Sequence, residues 1–125
     1  MSNLLYIAAG GVLGALARYG LSGLPHRWFN TTFPWGTLLV NLVGCLAIGA
    51  LMYLVEDRRV FTPQVRQFIF IGFLGSLTTF STFGYETFRL MHDAEFALVL
   101  ANVGANVVAG LGAVWLGWTA VKLLS

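Results

Sequence analysis

Residues 72–84 read GFLGSLTTFSTFG, and the rest of the chain has to accommodate what they contain. Ser76, Thr78, Thr79, Ser81 and Thr82 place hydroxyls inside an otherwise apolar segment. Gly72, Gly75 and Gly84 loosen its helix, and Phe80 and Phe83 interrupt the hydroxyls three residues apart. A hydroxyl in lipid needs a hydrogen-bond partner. The surroundings are strongly apolar: of 125 residues 58% are hydrophobic and only 10% charged, against roughly 25% charged in ordinary soluble domains. A hydrocarbon core about 30 Å thick requires roughly 20 apolar residues per helix, and four such windows can be drawn, at about 4–24, 36–55, 67–90 and 96–121. The expected fold is therefore an all-α membrane protein, one domain of four transmembrane helices with no room for a soluble domain. The first window has neither a basic leader nor a small-residue cleavage site before a polar chain, so it reads as a retained span.

Taken in order, the first span carries Gly10 and Gly14, a small-xxx-small pair for close helix approach, and one charge, Arg18. Arg18 lies little more than one turn from the span end. That position fits an arginine snorkelling to the interface and equally a buried cation that attracts or orients an anion. The connection 25–34, PHRWFNTTFP, supplies aromatic residues suited to the headgroup belt, and its His26 reads as a solvated residue without ligand partners. Pro34 sits at the start of the second span, where a missing N–H costs little. Asn41, one turn above Thr37, is the conspicuous polar residue of that span. It reads as interhelical glue or as a pore-lining group, with the third span weighting the second.

In the third span the helical spacing puts Ser76, Phe80, Phe83 and Thr87 on one face and Gly75, Thr79, Thr82 and Glu86 on the next. So many Gly, Ser and Thr residues make local unwinding near 75–79 expected, and a broken helix at membrane depth is tolerated only where protein or water satisfies the freed carbonyls. In the fourth span Ala101, Ala105, Ala109, Ala113 and Gly117 recur every four residues as a close-packing seam. Asn102, Asn106 and Gly110 form a neighbouring stripe that can bond a partner helix or an ion in transit.

The side holding the N-terminus, the second-to-third loop and the C-terminus carries Arg58, Arg59, Arg66 and Lys122, and the other carries Arg27 and Arg89, with Arg18 leaning towards it. So weak a bias permits insertion both ways. Two opposed copies can then pair as an antiparallel dimer.

The intramembrane polar groups, Asn41, Asn102, Asn106 and the third-span hydroxyls, are neutral and mostly hydrogen-bond donors. Neutral donors suit an anion stripped of water, because fixed Lys or Arg would hold it too tightly to release. Aromatic rings with a positive edge, here Phe80 and Phe83, can join them, although packing or lipid-facing bulk is the plainer reading of both. The single cysteine, Cys45, excludes an intrachain disulfide and reads as packing. Seven scattered basic residues make no nucleic-acid footprint. Both histidines lie in loops, away from Ser81 and Thr82, and no nucleophile–base pair is found, so an enzyme is not expected.

Together, GFLGSLTTFSTF, PWGTLLVNLVG and GGVLGALAR resemble the Fluc/CrcB family of fluoride channels, across all four spans in order. The resemblance implies passive export of fluoride across a bacterial inner membrane by a dual-topology antiparallel homodimer with two pores along the subunit interface. It also implies that Phe80 and Phe83 form a phenylalanine box, that Asn41 is the second-span asparagine, and that Ser81, Thr82 and Glu86 belong to a polar track. A central sodium ion is implied as well, held by backbone carbonyls that would come from Gly75 and Thr78 of both subunits. Two departures stand out: many members read Gly-Gly where this chain has Gly75-Ser76, and members carry Tyr, Ser and other polar groups at the fourth-span positions of Asn102 and Asn106.

Two rival classes make different demands. A small dual-topology multidrug exporter needs a central acid, which the first span lacks; only Glu86, towards the end of the third span, is available. A non-transporting structural subunit would use the hydroxyl run purely as helix glue.

Overall fold

A computed structural model describes residues 2–125. Among these residues the regular structure is all helical, with no strand, and four segments are long and apolar enough to cross a membrane: Ser2–Arg27, Trp35–Glu56, Pro63–His92 and Phe96–Leu124. We label the helices α1 (Ser2–Gly23), α2 (Trp35–Glu56), α3 (63–77), α4 (Phe80–His92) and α5 (Phe96–Leu124). A 3-10 turn at Pro25–Arg27 follows α1. α3 and α4 share the third apolar segment. Between them Thr78 and Thr79 are extended, with φ/ψ of −83°/155° and −147°/119°.

Local chemistry sets the ends. Pro34 precedes α2, and Thr62 caps α3 by accepting the Val65 N–H at 3.3 Å, with Pro63 in the first turn. Thr79 does for α4, in mid-chain, what Thr62 does at a surface: its Oγ1 accepts the Thr82 N–H at 3.2 Å. A capping residue inside an apolar segment is why the helix restarts at Phe80. Two stretches, Gln67–Leu74 in α3 and Ala105–Ala109 in α5, take the wider π-helical winding, which is uncommon and concentrates at functional regions.

Glycines bring the backbones together. A Cβ at Gly10 or Gly14 would overlap the carbonyl of Phe68 or Phe73 in α3, so both members of the expected pair are used. Gly49 and Gly117 meet the carbonyls of Val114 and Leu46 in the same way, joining α2 to α5. Val40, Leu74 and Leu77 are the buried hydrophobic centre, next to the extended link.

Two expected faces differ from the observed ones. The alanine seam of the fourth span does not pack as a unit: Ala101 and Ala109 are exposed, whereas Asn102, Gly110 and Gly117 are buried. The reason is geometric, since a four-residue repeat advances about 40° beyond a full turn each time in a helix of 3.6 residues per turn. Across the wider-wound Ala105–Ala109 the phase shifts again, so no single face carries Ala101 through Gly117. The wheel drawn through 75–87 also loses its phase at Thr78 and Thr79, which are not helical. Ser76 faces α1, its Oγ lying 3.4 Å from where a Gly11 Cβ would stand, and Gly75 shares a cavity with Phe80 and Phe83.

Candidate functional site

The extended link leaves the backbone groups of Thr79 without helical partners, and Asn41 takes both. Asn41 Oδ1 accepts the Thr79 N–H at 2.9 Å, and Asn41 Nδ2 donates to the Thr79 carbonyl at 3.2 Å. A side-chain amide thus pairs with a residue as a neighbouring strand would. Thr79 is only 8% exposed, so an unmatched N–H there would carry the full desolvation penalty.

Asn41 Nδ2 also donates to Asn106 Oδ1 at 2.9 Å. Asn106 Nδ2 donates to Asn102 Oδ1 at 3.0 Å and to the Asn102 carbonyl at 2.9 Å. Asn102 Nδ2 donates to Thr87 Oγ1 at 2.9 Å, and the Thr87 hydroxyl donates to the Phe83 carbonyl at 2.7 Å. Three amides and a hydroxyl therefore point their hydrogens in one direction, from the link to the turn carrying Phe83. Asn102 is fully buried and borders neither of the cavities beside the link. Thr87, placed by sequence only on a wheel face, is a member of this chain, and burial of Asn102 is invisible to spacing alone.

Two cavities meet at Thr79. One, about 390 Å³, is bounded by Asn41, Gly75, Thr78, Phe80, Phe83 and Asn106. The rings of Phe80 and Phe83 lie 5.5 Å apart, tilted by 53°, and Phe80 is 82% exposed. The other, about 740 Å³, is bounded by Arg18, His26, Thr37, Thr79, Thr82 and Glu86. α4 accordingly turns its hydroxyl side to one cavity and its aromatic side to the other.

In the larger cavity Thr37 Oγ1 donates to Glu86 Oε1 at 2.8 Å, while Glu86 Oε2 is buried without a partner among the described residues. Arg18 is half-buried there, and among the described residues the one ion pair is elsewhere, His92 to Asp93 at 3.5 Å. Sequence spacing set Thr37 merely one turn below Asn41, yet it lines this cavity with Glu86; His26 is exposed, as its reading as a solvated residue expects, and borders the same cavity. Thr79 Oγ1 donates to Thr82 Oγ1 at 3.0 Å, so the Thr82 hydroxyl hydrogen is free to donate onward. Ser81 is exposed, its Oγ 3.4 Å from Thr79 Oγ1.

Among the described residues no three His, Cys, Asp or Glu side chains cluster as a metal site. Backbone oxygen is another matter. In an unbroken α-helix the Gly75 carbonyl would accept from Thr79 N–H and the Thr78 carbonyl from Thr82 N–H. Those two donors go to Asn41 Oδ1 and Thr79 Oγ1 instead.

A family model described as CrcB-like protein, Camphor Resistance (CrcB), matches residues 5–118. The chain belongs to the CrcB family. Within it, this chain is 48% identical over 124 residues to a protein of Geobacter sp. (strain M21) named "Fluoride-specific ion channel FluC", covering 99% of this chain and 100% of that one. Proteins of the same name from Hydrogenovibrio crunogenus and Maridesulfovibrio salexigens are 42% and 41% identical, covering 98% and 91% of this chain and 94% and 90% of theirs. Membership of the CrcB family and four membrane-crossing segments make the chain a multi-pass membrane protein of a channel family, not an enzyme.

Proposed function

We infer that this chain is a fluoride-selective channel, and that it lets fluoride leave a bacterial cell passively across the inner membrane. The observation that carries the reading is the full-length similarity to relatives named as fluoride-specific channels. The geometry is consistent with it in three respects. The groups around the link are neutral donors and aromatic edges, the Thr82 hydroxyl has a hydrogen to give, and Phe80 is bare in a single chain.

In this reading two copies insert in opposite orientations and pair as an antiparallel dimer, embedded in lipid, with two pores along their interface. Arg18 draws the anion into the larger cavity. There fluoride exchanges water for the hydroxyl of Thr82, close to Glu86, and then passes the exposed Ser81 hydroxyl outside that cavity and the Phe80 and Phe83 rings beside Asn41. Small size and strong acceptor character separate it from chloride. The carbonyls of Gly75 and Thr78, whose helical donors are diverted, fit a hard cation with oxygen ligands. A sodium ion held by them and by the partner's equivalents would supply fixed positive charge near the link.

The test is fluoride efflux from liposomes containing the purified protein. Efflux well above that of empty vesicles, with little chloride efflux, is the expected result; a fluoride gradient dissipated no faster than in empty vesicles removes the reading. No observation favours proton-coupled export.

A further inference from the structure

We propose that Asn102 and Asn106 act as positioning residues: the part-buried amide chain they form, anchored at the fully buried Asn102, ties the extended link, through Asn41, to the Phe83 turn of α4. The function attached to it rests on the channel reading above, but the tie itself does not.

The direction of every bond in the chain is forced. Thr79 presents an N–H and a carbonyl side by side, so the Asn41 amide has one workable orientation, with Oδ1 on the N–H and Nδ2 on the carbonyl. The remaining Asn41 hydrogen requires an acceptor, which makes Asn106 present Oδ1. Asn106 must then point Nδ2 at Asn102, where both the side-chain and backbone oxygens receive it. Asn102 is left with its Nδ2 towards Thr87, whose own hydrogen is directed to the Phe83 carbonyl. Reversing any one amide sets donor against donor or acceptor against acceptor somewhere along the line. Because Asn102 is 0% exposed, it cannot reach a passing ion and acts only through its neighbours. Buried polar chains of this kind are costly when one member is missing, so the link and the aromatic turn are held in one mutual arrangement.

Both Asn41 hydrogens are occupied by protein acceptors. An ion that takes one of them breaks either the link pairing or the bond to Asn106, and Asn106 thereby sets how readily Asn41 can donate.

The variants are Asn106→Leu, Asn102→Leu, Thr87→Val and Thr87→Ser in the full-length protein, reconstituted in micelles for NMR and in liposomes for flux. Amide hydrogen exchange at Thr79, referenced to the Leu13 amide in α1, reads the tie without reference to transport. Asn106→Leu is expected to accelerate Thr79 exchange about tenfold relative to Leu13, as loss of one supporting hydrogen bond implies, and Asn102→Leu by a smaller factor. Thr87→Val is expected to lower fluoride flux severalfold, while Thr87→Ser, which keeps the hydroxyl, stays near the starting protein. Unchanged Thr79 protection in Asn106→Leu overturns the proposal. So does equal loss at Thr79 and Leu13, which marks general loosening, and so does matching flux in the two Thr87 variants. If the unsubstituted protein carries no fluoride, the channel reading fails and the exchange measurement still decides the tie.

Discussion

Asn41 and Phe80 border the same cavity beside the extended link and separate stability from transport. Asn41 satisfies both backbone groups of a residue that is 8% exposed. Asn41→Ala leaves an N–H and a carbonyl unmatched and is expected to destabilise the chain by about 2–4 kcal/mol, read by reversible denaturant titration in mixed micelles. Phe80 is 82% exposed in the single chain, so Phe80→Ile is expected to change that stability by less than about 0.5 kcal/mol while strongly reducing fluoride flux. Equal stability losses for the two would contradict the division. Sequence alone identified Asn41 as unusual, because an amide in an apolar window has to bond something. It could not supply the partner, since Thr79 is 38 positions away and becomes a partner only because its backbone is extended.

At the level of elements, the tight pairs are α1 with α3 and α2 with α5, and glycine permits both. Gly10→Ala places a Cβ on the Phe68 carbonyl and Gly72→Ala one near the Ile7 carbonyl. Each is expected to cost about 1–3 kcal/mol, the usual range for forced overpacking. Gly104 and Gly112 have nothing within 4 Å of such a Cβ, and alanine there is expected to be tolerated. Unfolding midpoints of the four variants check this together. Hydropathy and length were enough to delimit four membrane-crossing segments, because lipid leaves the backbone few alternatives. The same one-dimensional reading went astray on faces: the Ala101 to Gly117 repeat drifts around α5, and a wheel cannot be carried through Thr78 and Thr79. Periodicity assumes an unbroken helix of fixed winding, and neither α3 nor α5 keeps one.

For the whole molecule, the single chain carries the two cavities that meet at Thr79 and a bare Phe80, and among the described residues Arg18 has no ion-pair partner and one Glu86 oxygen has no hydrogen-bond partner. Two opposed copies are expected to cover Phe80. A reconstituted mass of two chains, with C-terminal tags labelled from both sides of the membrane, is the outcome the proposed function requires; tags confined to one side eliminate dual insertion. The candidate site was legible as a list of polar residues but not as an arrangement. Thr37, His26 and Glu86 share a cavity although the first is in another span and the second in a loop, and Asn102 turned out to be interior.

The link at Thr78 and Thr79 also has an electrical consequence. Ending α3 and starting α4 within two residues sets the negative end of one helix macrodipole beside the positive end of the next, at membrane depth, where charge is poorly screened. Each end is equivalent to roughly half an elementary charge. A continuous helix would have cancelled these poles along its length and exposed them only at the water interfaces. Interrupting it produces, from uncharged residues alone, one spot that favours a cation and an adjacent spot that favours an anion. The Thr79 cap covers one N–H of the positive pole, and the remaining first-turn N–H groups of α4 keep its sign.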